Sequence, residues 1–146
     1  MEDDPGDAAL TRLVLRKMLP APVVQFVSDE PAMNAAIDAG VDLILSDYHV
    51  QDYTPVSVLQ RLRTEDRDVP LIVVSNAVGE GAAMEVLRAG AADYVSKDRL
   101  STLPMVIARV MEMRAQRQRQ RDLLMENRLA AERLRRMAAE LVSAQE

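Results

Sequence analysis

The sequence predicts an α/β domain built on a doubly wound parallel sheet, followed by one long helix. Short apolar runs at 23–27, 41–46, 70–75 and 93–96 alternate with stretches of helical periodicity, the pattern of a parallel sheet with crossover helices. Aromatic residues are few, one Phe and three Tyr without Trp, so the core must be aliphatic, which fits helices over a sheet better than a β-sandwich. After Pro104 neither Pro nor Gly interrupts the chain, so nothing local stops a last helix from running almost to the end.

Taken in order, residues 1–6 form an acidic turn, and Asp7 is the expected N-cap of a helix reaching about Leu19, with Leu10, Leu13, Val14 and Met18 on one face. Pro20 and Pro22 end it. Val23 to Val27 reads as a strand. Ser28 or Asp29 then caps a second helix that carries Pro31 in its first turn and stops at Gly40. The run from Val41 to Ser46 is a buried strand that ends on Asp47. A polar loop, 48–54, leads to a helix from about Pro55 to Thr64 with Val58, Leu59 and Leu62 inward. Pro70 to Ser75 is another buried strand. A helix over roughly Glu80 to Ala89 closes at Gly90, a short strand spans Asp93 to Ser96 and runs into Lys97, and the last helix begins near Ser101.

Composition narrows the function. There is no Cys, hence no disulfide framework and no thiol chemistry, and a single His, His49, cannot build a metal cluster. No run approaches the ~18 apolar residues of a membrane span. The acidic N-terminus lacks the apolar region of a signal peptide, so the expected compartment is the cytoplasm. The net charge of −5 is unevenly spread: residues 1–110 hold ten Lys and Arg against seventeen Asp and Glu, residues 111–146 eight Arg against six Asp and Glu. Neither part is basic enough to suggest a nucleic-acid partner.

Ligands of open parallel sheets sit at the C-terminal ends of the strands, and the residues there are Asp47, Ser75 and Lys97. Alone each is ordinary: an Asp at a strand end is usually a loop residue, Ser often ends strands, and Lys is a surface residue. Together they suit one chemistry. A carboxylate attacks phosphorus to form an acyl phosphate, a Mg²⁺ ion held by further carboxylates such as Glu2 and Asp3 screens the repulsion between oxygens, Lys97 balances charge on the equatorial oxygens, and the Ser75 hydroxyl donates to a phosphoryl oxygen.

At these residues the sequence resembles the response-regulator receiver domain. The matching stretches are Glu2-Asp3-Asp4, Asp42 to Asp47, Leu71 to Ser75 and Ala89 to Lys97, and the resemblance covers residues 1 to about 108. It implies a flavodoxin-like sheet of order 2-1-3-4-5. It also implies Asp47 as phosphoacceptor and Glu2, Asp3, Asp47 and the backbone carbonyl of His49 as Mg²⁺ ligands. Ser75 and Tyr94 would be switch residues, and Lys97 would contact the acyl phosphate. No apolar strand precedes Glu2, so strand 1 of that order is expected to be missing or truncated. Gln51 and Asp98 stand where most receivers have Pro, and Pro55 where they have Gly. The Lys97-Asp98-Arg99-Leu100 run resembles receivers linked to sensor-kinase or PAS modules.

Residues 109–146 form a separate helical segment. A 4-3 seam runs through Leu103, Val106, Val110, Met113, Arg117, Gln120, Leu124, Asn127, Ala131, Leu134, Ala138 and Leu141. It suits either a signalling helix that dimerises in parallel and leads to an output domain, or a solvated helix. That helix holds no His, so the resemblance implies phosphorylation by a sensor histidine kinase, a phosphotransfer protein or a small acyl phosphate. The competing expectation is a pseudo-receiver that dimerises or binds protein without phosphotransfer. A turnover hydrolase is disfavoured, because the position two residues after Asp47, where an aspartate-dependent phosphatase carries its general acid, is His49.

Overall fold

The computed structural model describes residues 4–51, 53–76 and 79–145. Three parallel strands, β1 (Ile44–Ser46), β2 (Leu71–Ser75) and β3 (Asp93–Ser96), form one sheet in the order β1-β2-β3. The helices are α1 (Pro5–Leu15), α2 (Glu30–Ala39), α3 (Pro55–Thr64), α4 (Glu80–Arg88) and α5 (Leu103–Ala144), with a 3₁₀ helix at Lys97–Thr102. The chain divides into two compact units, Met1–Met111 and Glu112–Glu146.

In the first unit β2 is the centre, and all five of its residues are buried. Successive side chains of a strand point to opposite faces. Leu71 and Val73 therefore join one core with Met33, Ile37, Leu59, Leu62 and Val86. Ile72 and Val74 join the other with Leu15, Val95, Leu103, Ile107 and Val110. Each such aliphatic side chain taken out of water contributes about 1.5–3 kcal/mol. Two apolar layers on one sheet are the doubly wound, flavodoxin-like architecture expected from the alternating pattern.

Local chemistry sets the helix ends. Asp29 accepts from the Ala32 N–H at 2.8 Å and caps α2, which ends at Gly40 with φ +98°, a conformation that L side chains rarely adopt. Thr54 and Ser57 form a reciprocal capping box at the start of α3, each side chain meeting the other's backbone N–H at 3.1 Å. Arg61 ties α3 to α2 through Asp38 at 2.8 Å, and the Arg67 guanidinium donates to the Ile37 carbonyl at 2.8 Å.

Three expectations need correction. The N-cap of α1 is Asp4, not Asp7: its carboxylate accepts from the N–H groups of Gly6 at 2.7 Å and Asp7 at 3.4 Å, and Pro5 supplies the first helical position. The inward face of α1 is also rotated. Leu10 and Leu13 are exposed, Leu15 is buried, and Val14 and Met18 pack beside it. The run Val23 to Val27 joins no sheet. A strand needs a neighbour for its ladder, and between this run and β1 lies a cavity of about 510 Å³, lined by Val24, Val27, Leu43 and Leu45 among others. Phe26 lies under the Arg12 guanidinium of α1, 4.8 Å from the ring centre.

The seam expected from Leu103 onward is partly absorbed by the first unit, where its Leu103 and Val110 belong to the core, Val106 only packs against it, and Ile107, outside the seam, is buried. In the second unit every described residue from 116 to 145 is exposed, including Leu124, Leu134 and Leu141. Arg119 pairs with Glu112 at 3.1 Å along it. No helix among the described residues is long and apolar enough to cross a membrane.

Candidate functional site

Parallel register assembles the site. Ser46 pairs with Val73, and Ser75 pairs with Ser96, so the residues that follow β1 and β3 emerge at the same edge as the end of β2. Asp47 leaves β1 there, Ser75 is the last residue of β2, and Lys97 opens the 3₁₀ helix after β3. The three come together. The Ser75 hydroxyl, 2% exposed, donates to Asp47 Oδ1 at 2.9 Å, and Lys97 Nζ donates to Asp47 Oδ2 at 2.8 Å. The backbone N–H of His49 adds a third bond to Oδ1, at 3.3 Å.

These bonds set the charge state of Asp47. Burial pushes its carboxyl up. The Lys97 ammonium, the Ser75 hydroxyl and the His49 N–H together outweigh that and hold it below the usual carboxylate value. Asp47 is therefore ionised at neutral pH, with its negative charge aimed at the end of the sheet.

Lys97 has a second partner that the sequence did not reveal. Asp7, in the first turn of α1, meets Nζ at 2.5 Å, so one ammonium bridges two carboxylates. The clue was periodicity: Asp7, Thr11, Leu15 and Met18 fall on one helical face, and that face turns inward.

Tyr94 is half-buried on β3, and its hydroxyl donates to the Asn76 carbonyl at 3.3 Å, directly after Ser75. The His49 side chain is exposed. Glu2 and Asp3 lie outside the described residues. Tyr48 reaches Glu85 of α4 at 3.4 Å, and the loop residues 48–51 with 54–56 and Glu85 line a cavity of about 560 Å³.

For a divalent cation the relevant donors at this edge are carboxylate oxygens, with no thiol and no inward imidazole, which suits a hard ion such as Mg²⁺. Among the described residues no group of three or more His, Cys, Asp or Glu is placed to hold a metal ion.

The fold is a parallel α/β domain whose strand ends gather a carboxylate, a hydroxyl and an ammonium. The family model for the response regulator receiver domain matches residues 1–107. The chain belongs to that family. Solved structures with the same fold include a response regulator from Thermotoga maritima (21% identity, 73% of this chain and 92% of that one, TM-score 0.61). A second is the signal receiver domain of a protein assigned as the response regulator NarL from Mycobacterium tuberculosis (22% identity, 78% and 91%, TM-score 0.65). A third is NtrX from Brucella abortus (21% identity, 84% of this chain, TM-score 0.71), of which the match spans only 28%. No curated protein sequence matches the chain.

Proposed function

We propose that this chain is a phosphoacceptor of a two-component phosphorelay, phosphorylated on Asp47, and that its C-terminal helix carries the change onward. The observation behind this reading is the convergence of a buried hydroxyl and an ammonium on one ionised strand-end carboxylate. An Asp47 oxygen attacks the phosphorus of the donor. The new O–P bond forms as the donor–P bond breaks, and its electron pair leaves with the donor's nitrogen or carboxylate oxygen. Lys97 offsets the charge gathering on the phosphoryl oxygens, and Ser75 donates a hydrogen bond to one of them. Tyr94, anchored beside Ser75, follows it and shifts the surface of α4 and β3. Mg²⁺ would be held by Asp47, Glu2, Asp3 and the His49 carbonyl, and would screen the negative oxygens from one another.

The donor is a sensor histidine kinase, a phosphotransfer protein or a small acyl phosphate, which places the chain in the cytoplasm where such donors form. Residues 1–108 act as the receiver, and 109–146 as a coiled-coil segment that joins two copies in parallel and leads to an output module. Leu124, Leu134 and Leu141, exposed at heptad spacing, support the second copy.

The alternative is a pseudo-receiver that associates without phosphotransfer. The failure of Val23 to Val27 to join the sheet favours it, because among the described residues β1, which leads into Asp47, is then left at the edge of the sheet. Incubation with Mg²⁺ and acetyl phosphate followed by intact mass measurement decides between them. A gain of one phosphoryl group in wild type and none in Asp47→Asn is expected. No gain in wild type overturns the proposal in favour of the alternative.

A further inference from the structure

We propose that Asp7 is a positioning residue for the phosphoryl transfer, holding the Lys97 ammonium against Asp47; the inference rests on the reading of Asp47 as the phosphoacceptor. Lys is a compact charge on a flexible stem, and a lysine that must meet a transferring phosphoryl group needs its head fixed in advance. Here the side chain is 10% exposed, and among the described residues its ammonium meets Asp47 at 2.8 Å and Asp7 at 2.5 Å.

The fold frees Asp7 for this task. Asp4 takes the N-cap role and bonds the Gly6 and Asp7 N–H groups, so the Asp7 carboxylate is not needed for capping. Leu15, buried two turns later on the same face, fixes the rotation of α1 and aims Asp7 at the strand ends. When Asp47 becomes an acyl phosphate, its attacking oxygen loses its charge and one anchor of Lys97 weakens. Asp7 remains as a fixed counter-charge while the ammonium turns to the phosphoryl oxygens.

The test compares wild type, Asp7→Asn and Asp7→Glu, each as the full chain, for phosphorylation by acetyl phosphate at saturating Mg²⁺. Removing a negative charge alone favours approach of an anionic donor, so a slower reaction has to come from a misplaced ammonium. Asp7→Asn is expected to lower the saturating rate about tenfold, the loss of one charge-assisted hydrogen bond. The donor concentration for half-saturation should not rise, and Asp7→Glu should recover most of the rate. An Asp7→Asn variant as fast as wild type, or an Asp7→Glu variant as slow as Asp7→Asn, overturns the inference.

The ¹H–¹⁵N signal of the Lys97 ammonium gives a readout independent of transfer. It should be protected from solvent exchange in wild type and lost in Asp7→Asn. If wild type takes no phosphoryl group, the phosphoacceptor reading fails and Asp7 has no transfer to position for, while the ammonium signal still shows whether the bridge exists. If wild type is phosphorylated and the signal survives in Asp7→Asn, the positioning role fails and the phosphoacceptor reading stands.

Discussion

Replacing Lys97 by Gln removes the cation that Asp7 and Asp47 share and leaves the two carboxylates without it. Lys97 and Asp47 are 10% and 14% exposed, so this pair is close to buried, whereas Asp7 at 33% is partly screened by water. A hydrogen bond to a charged group contributes about 1.5–3 kcal/mol, and breaking a buried pair by removing one partner costs about 3–5 kcal/mol. Discounting the Asp7 arm for solvent, the expected loss is about 2–4 kcal/mol. Urea unfolding followed by tyrosine fluorescence reads it, because Tyr48, Tyr53 and Tyr94 all lie in the first unit.

The double variant Lys97→Gln/Asp47→Asn should regain much of the loss, since the like-charge repulsion is gone, with a coupling of about 1–3 kcal/mol. The pH dependence has a definite sign. The Asp47 carboxyl is held below its ordinary value in the folded chain. Its stabilising contribution is therefore complete above the unfolded carboxylate value of about 3.9 and is lost as pH falls through the folded value. The gap between wild type and Lys97→Gln should be widest above about pH 5 and shrink on acidification below about pH 4. A Lys97→Gln chain within about 0.5 kcal/mol of wild type at neutral pH, no more than an ordinary surface substitution, would refute the bridge as a structural element.

Two further outcomes follow from the packing. Ile72→Ala, at a fully buried position of β2, should cost about 2–5 kcal/mol in urea unfolding, while Leu13→Ala, on the exposed side of α1, should stay within about 0.5 kcal/mol. Leu134→Glu should shift sedimentation equilibrium toward monomer if α5 pairs two copies, and its urea midpoint by tyrosine fluorescence should match wild type, since Leu134 lies outside the first unit.

Much of the domain was legible because its signals are local. Thr54, Pro55 and Ser57 mark the start of α3 through capping and a fixed φ, and the helix runs Pro55–Thr64 as read. Leu71 to Val74 is an unbroken apolar run because both of its faces are covered, and such a run announces a central strand without knowledge of its neighbours. Asp47, Ser75 and Lys97 were recognisable as strand-end residues, and parallel topology alone brings strand ends to one edge. What escaped the sequence depends on distant partners. Val23 to Val27 has the composition of a strand, but a ladder requires a neighbour, and the run lies beside a cavity instead. The inward side of α1 was misjudged because Leu10 and Leu13 are as apolar as Leu15, and the core that forms around Ile72 and Val74 of β2 takes in Leu15 alone of the three. The same rotation decides what Asp7 does. Its carboxylate reads locally as a helix cap, yet it meets an ammonium 90 residues away, because a charge takes the partner that packing places beside it.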